Sequence, residues 1–217
     1  MWFNEIVLLD LTVKGLVIGI VASAPMGPVG VLCVQRTLNK GRWYGLVTGL
    51  GAALSDILYA MITGIGMSSV LQFVQKPDTM YVLQLVGSVM LFFFGYYTFK
   101  TKPYLRPSSN KKGTLSHNLL TSFLVTLSNP LIIFLFMALF ARFTFVVPTH
   151  FWEQTLGYIS IFLGAMLWWY GLTYVVDKVR TSINLNRIWL INRIIGAIVM
   201  VVSTLGLLST VLGLTLY

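Results

Sequence analysis

Six runs of apolar residues dominate this chain: Leu11–Val34, Tyr44–Ser69, Met80–Phe99, Leu119–Ala141, Thr155–Val176 and Ile188–Leu214. Each is long enough to cross about 30 Å of hydrocarbon at about 1.5 Å per residue. Only 10% of the residues are charged, against about 25% in an ordinary soluble domain. The runs therefore predict an all-α polytopic membrane protein with six transmembrane helices. A single transmembrane domain spanning 1–217 is expected, with short polar connections and no soluble domain.

Near the start, Ala22-Ser23-Ala24 has the small-x-small pattern of a signal-peptide cleavage site. The preceding residues carry Glu5 and Asp10 in place of a basic cluster, and Pro25 would follow the cut. The segment is expected to be retained as the first span. Asp10 and Lys14 stand four apart, the spacing of a helical ion pair near the membrane edge.

The net charge of +9 does not indicate nucleic acid, because the basic residues lie between apolar blocks and form no single patch. Arg36, Lys40 and Arg42 fall in the first connection. Lys100, Lys102, Arg106, Lys111 and Lys112 fall in the third, and Lys178, Arg180 and Arg187 in the fifth, with Arg193 just inside the last span. The second and fourth connections carry only Lys76 and Arg142. Basic connections stay in the cytoplasm, so both termini are expected outside.

The two halves resemble each other. "GAALSD" at Gly51–Asp56 answers "GAMLWW" at Gly164–Trp169, and "VGSVM" at Val86–Met90 answers "IGAIVM" at Ile195–Met200. "APMGPVG" at Ala24–Gly30 answers "LSNPLII" at Leu127–Ile133, each placing proline inside an apolar run. With three spans per half, the repeats, about 1–105 and about 106–217, are expected to be inverted, with helices 1 and 4 broken. Broken helices at matching places in inverted repeats are a signature of secondary transporters, with the site near the membrane midplane.

A break bares N–H groups at the start of the following half-helix and carbonyls at the end of the preceding one, attracting anions and cations respectively. Pro28 has no N–H, so Gly27, Val29, Gly30 and Val31 are the available donors. Asp56 lies roughly 18 Å into its span. A carboxylate there costs about 2.5–3.5 kcal/mol on insertion scales. It shares a helix face with Gly45, Gly49 and Ala52, which let another helix approach closely. Asp56 is thus expected to point into the bundle and to serve proton or ion coupling. The substrate-binding candidates are Gly27, Pro28, Val29, Gly30, Asp56, Asn129 and Pro130. A packing kink at the prolines and a structural aspartate are the alternative readings. Tyr59, Thr63, Thr126 and Ser128 read as helix-packing polar groups. Trp168, Trp169 and Tyr170 fit either site closure or anchoring at the membrane edge. His117 and His150 lie in connections, away from any intramembrane relay.

"APMGPVGVLCVQRTLNKGRWYGLVTGLGAALSD", "TLSNPLIIFLF" and "WLINRIIGAIVM" resemble, in matching order, the LysE/RhtB amino-acid exporters. The positions that carry the likeness are Pro25, Gly27, Pro28, Gly41, Gly45, Gly49 and Asn129-Pro130. Met26 is inserted into the family's Pro-Gly-Pro-like pattern, and Leu131 replaces the lysine that often follows Asn-Pro. The resemblance implies a bacterial inner-membrane exporter of amino acids or related small metabolites, driven by the proton or ion gradient, without a cofactor. Its partners would be the small-molecule substrate and the lipid bilayer; a homo-oligomer is compatible with the sequence.

Other function classes fare worse. A thiol-redox enzyme needs two cysteines, and Cys33 is the single cysteine. No Walker-type loop and no hydrolase constellation at membrane depth is visible. A scaffold role would be separated by transport assays on a deletion. An exporter of metal or other cations is the main alternative, since a buried aspartate beside bared carbonyls also suits a metal.

Overall fold

The computed structural model describes residues 2–25, 27–74, 77–101, 114–129, 131–145, 151–178 and 185–213. Among these, the chain is entirely helical: α1 (Trp2–Ser23), α2 (Pro28–Lys40), α3 (Arg42–Val74), α4 (Pro77–Lys100), α5 (Leu115–Leu127), α6 (Leu131–Arg142), α7 (Phe151–Lys178) and α8 (Leu185–Val211). Met26, Pro130, Lys76, His150, Arg180 and the third-connection cations Lys102, Arg106, Lys111 and Lys112 lie outside the described residues.

Four helices are long and apolar enough to cross a membrane, and six spans result if each of two bent pairs is one span. The bent pairs are α1 with α2, at 79°, and α5 with α6, at 72°. These are the first and fourth apolar runs, broken where their prolines lie.

Local chemistry explains the breaks. Helix α1 stops before Pro25, whose missing N–H cannot continue the ladder. Extended Gly27 caps α2 at φ −69°, and Pro28 occupies the first helical turn, where a missing N–H costs nothing. Gly41 ends α2 at φ +104°, a backbone conformation open to glycine at little cost. In the second break, Asn129 Oδ1 accepts the Leu131 N–H at 3.2 Å, capping α6.

Helix α1 packs on α7, α5 on α3, and α4 on α8, with α3 also against α2 and α7. In a bilayer the lipid is as apolar as the side chains, so close packing between small residues supplies much of the attraction between helices. Gly15 and Gly19 of α1 lie against Ser160, Ile161 and Ala165 of α7, and Gly164 of α7 lies against the Leu16 carbonyl. Gly51 of α3 lies against the Leu119 carbonyl and Ser122 of α5. A Cβ built on Gly95 would stand 3.0 Å from the Gly196 carbonyl oxygen across the α4–α8 contact. Between the helices, Ile18, Phe136, Leu139, Phe140 and Ile161 are fully buried in one cluster. Leu163, Leu167, Ile198 and Val201 point outward, as a lipid-facing surface requires. The expected Lys14–Asp10 pair is formed at 2.7 Å.

Candidate functional site

Both breaks open onto one cavity of about 400 Å³, within the range of small-molecule sites. Its wall takes residues from the end of α1 and from α2 through α7. Of the residues expected to bind substrate, Gly27, Pro28, Val29, Gly30, Asp56 and Asn129 all line it; Pro130 is outside the described residues.

Each group reaches the cavity for a local reason. The N–H groups of Val29 and Gly30 belong to the first turn of α2, which has no preceding turn to supply carbonyls. Neither has a hydrogen-bond partner among the described residues. Val31 N–H already donates to the Gly27 carbonyl at 3.1 Å. Leu131 and Ile132, which open α6, line the same cavity. Two helix N-termini, from sequence positions about a hundred residues apart, thus bring their positive dipole ends to one space.

Asp56 is 6% exposed, and no ion pair to it exists among the described residues. Ser23 Oγ, at the end of α1, donates to Asp56 Oδ2 at 3.4 Å. The helix face below it is packed as its small residues suggest. Gly45 lies against Thr37 of α2 and Thr173 of α7, and a Cβ on Gly49 would stand 2.5 Å from the Trp169 Cβ. Gly45 and Gly49 therefore admit α2 and α7 to close contact with α3, while Asp56 turns into the cavity.

Some contributors carry another or a double reading in the sequence, Thr126 as a packing group and Trp169 as site closure or edge anchor, and those of α4 carry none. Thr126 Oγ1 and Trp169 Nε1 are buried without a hydrogen-bond partner, and both residues line the cavity. Phe94, Tyr97 and Thr98 of α4 form another part of the wall. No motif marks these α4 residues, whose place is set by the packing of helices distant in sequence. A signal for Trp169 did exist, since the internal match pairs it with Asp56. Of its neighbours, Tyr170 is 54% exposed on the outer surface, so the aromatic triplet divides between cavity and lipid.

Other polar groups serve the scaffold. Tyr59 Oη donates to the Leu127 carbonyl at 2.6 Å, satisfying an acceptor freed by the second break. Ser128 Oγ bonds back to the Leu124 carbonyl. Buried Cys33 donates its Sγ–H to the Gly45 carbonyl at 3.3 Å. Arg36 ties α2 to α3 and α5, donating to Thr48 Oγ1 at 2.9 Å, the Asn118 carbonyl at 2.8 Å and Thr121 Oγ1 at 2.6 Å. His117 is exposed near the start of α5. Among the described residues no group of three His, Cys, Asp or Glu side chains is placed to hold a metal ion.

The cavity thus offers one carboxylate, backbone N–H groups without a partner among the described residues, and apolar walls. A family model described as LysE type translocator matches residues 20–209. A Bacillus subtilis (strain 168) protein named "Putative amino acid efflux protein YcgF" is 28% identical over 173 residues, covering 78% of this chain and 81% of that protein. "Uncharacterized membrane protein YahN" of Escherichia coli (strain K12) is 26% identical over 177 residues, covering 76% and 75% of the two chains. No solved structure matches the chain significantly.

Proposed function

From the premise that this chain belongs to the LysE type translocator family and is a multi-pass membrane transporter, we propose that it exports amino acids or related small metabolites. The export would cross the bacterial inner membrane and be coupled to the proton or ion gradient. The observation that carries this reading is the meeting of two helix N-termini and one unpaired carboxylate in a single cavity. A zwitterion needs both: N–H groups of Val29 and Gly30 for its carboxylate, and Asp56 for its ammonium or for the coupling proton. Asn129 and the neighbouring Pro130 would shape the second break around it. The printed name of the Bacillus relative, which refers to amino acid efflux, supports this substrate class. A metal cation finds less support, since Asp56 belongs to no three-ligand group among the described residues.

We read the domain as two inverted repeats, about 1–105 and about 106–217, that rock against each other to alternate access. Equivalent contacts support this. Matched Gly51 and Gly164 each abut a carbonyl in the broken helix of the other half, Leu119 and Leu16 respectively. Matched Asp56 and Trp169 both line the cavity. The basic first, third and fifth connections support an orientation with both termini outside. A C-terminal reporter active only in the periplasm should then be active and a cytoplasmic reporter silent; the opposite pair would reverse the orientation.

The direct test loads cells with dipeptides of each amino acid and follows intracellular accumulation with and without the protein. Export lowers the plateau for the substrate alone. Equal plateaus for every amino acid, with a metal ion depleted instead, would replace this reading by cation export.

A further inference from the structure

We propose that the corner between the start of α3 and the end of α7 is a binding site for the headgroup of an anionic phospholipid. Tyr170, Tyr174 and Lys178 recur every four residues and form one stripe along α7. The Arg42 guanidinium, on the first residue of α3, lies 4.4 Å from the Tyr170 ring centroid and 5.1 Å from that of Tyr174. Lys178 Nζ lies 5.2 Å from the same Tyr174 centroid. Two cations therefore share one aromatic ring.

Among the described residues neither cation has a carboxylate partner within ion-pair distance, and neither side chain makes a hydrogen bond. Arg42 Nη2 is shielded from water without a partner. The undescribed segments 102–113 and 179–184 contain no acidic residue. The N–H groups of Arg42 and Trp43, at the head of a 33-residue helix, also find no acceptor among the described residues and add to the positive field. Two cations set against one ring, with no carboxylate paired to either among the described residues, favour an anion bound beside them.

The surface below the cations identifies the phosphate as a lipid's. Tyr170 and Tyr174 are 54% and 44% exposed, and the stripe continues into the membrane through Leu167, 58% exposed. Gly171 beside them has nothing within 4 Å of an added Cβ, leaving a shallow notch in an apolar surface. A phosphate at Arg42 and Lys178 would thus have its acyl chains running down an outward face suited to hydrocarbon. A free inorganic anion would gain nothing from that face. The ligand also has a consequence for the cavity: it would clamp α3 to α7 one residue away from Trp169.

The test uses the purified full-length protein in detergent, with phosphatidylglycerol, phosphatidylcholine or inorganic phosphate added. Lipid occupancy is read by native mass spectrometry and stabilisation by thermal unfolding. Phosphatidylglycerol should be preferred over phosphatidylcholine, and Arg42→Gln with Lys178→Gln should lose roughly twenty- to thirtyfold of that preference, the usual contribution of two basic residues at an anionic surface. On the unaltered protein the preference should shrink as salt rises to about 1 M, a measurement independent of any variant. Equal binding of the two lipids, a preference retained by the double variant, or one indifferent to salt would each overturn the proposal. So would inorganic phosphate reproducing the full stabilisation, which would make the site a small-anion site.

Discussion

Replacing Asp56 by asparagine is expected to stop export against a gradient while leaving the protein at least as abundant in the membrane. Asp56 is buried, lines the cavity and has no ion-pair partner among the described residues. An amide keeps its shape and can still accept from Ser23 Oγ, which now meets a carboxylate oxygen at 3.4 Å. In apolar surroundings a neutral amide costs less than an ionised carboxylate, so folding does not suffer. Coupling does, under the proposed mechanism, because the amide no longer exchanges a charged for a neutral form. One charge moved through the field supplies about 2.3 kcal/mol per 100 mV, enough to sustain a roughly fiftyfold concentration ratio. The variant should lose that ratio and fall to the level of a strain without the protein. Exchange of substrate for substrate, which moves no net charge, should persist. Asp10→Asn is the control, since Asp10 belongs to a surface ion pair with Lys14, and such pairs contribute only about 0–1 kcal/mol. Retained uphill export by Asp56→Asn at normal protein level would leave Asp56 a structural residue.

Gly27→Leu should produce the second large effect, by obstruction. Gly27 has φ −69°, which any residue adopts, and a Cβ there would meet nothing within 4 Å. Leucine is a poorer N-cap than glycine, a loss of about 1 kcal/mol, so membrane abundance should fall little. The new side chain would stand at the wall of the cavity, before the free N–H groups of Val29 and Gly30. Denying a substrate carboxylate those donors removes about 1.5–3 kcal/mol of charge-assisted hydrogen bonding, or at least about tenfold in transport. Gly27→Ala, which adds one methyl, should retain most of the flux. The measurement pairs membrane protein level with the rate of efflux from dipeptide-loaded cells. Undiminished efflux by the leucine variant would reduce the first break to a packing kink.

Much of this architecture was legible because a membrane constrains sequence severely. Backbone polar groups cannot be left bare in hydrocarbon, so six long apolar runs imply helices and little else. Two prolines and two glycines within Ala24–Gly30, and the proline after Asn129, mark where those helices must bend. Asp56 stood out because a carboxylate at that depth is costly and its neighbours at helical spacing are small. What one strand of sequence could not supply was which helices meet. Helix α4 brings Phe94, Tyr97 and Thr98 to the cavity without any motif, since its neighbours come from distant parts of the chain. Thr126 and Trp169 join the cavity wall only once α5 and α7 pack against α3. Arg42 and Lys178, read from sequence as connection charges, flank one tyrosine ring for the same reason. Periodicity and cost fix each helix and its breaks locally; the convergence of the breaks depends on close approaches between helices, at contacts such as Gly49 on Trp169 and Gly164 on Leu16, that form only in the assembled bundle.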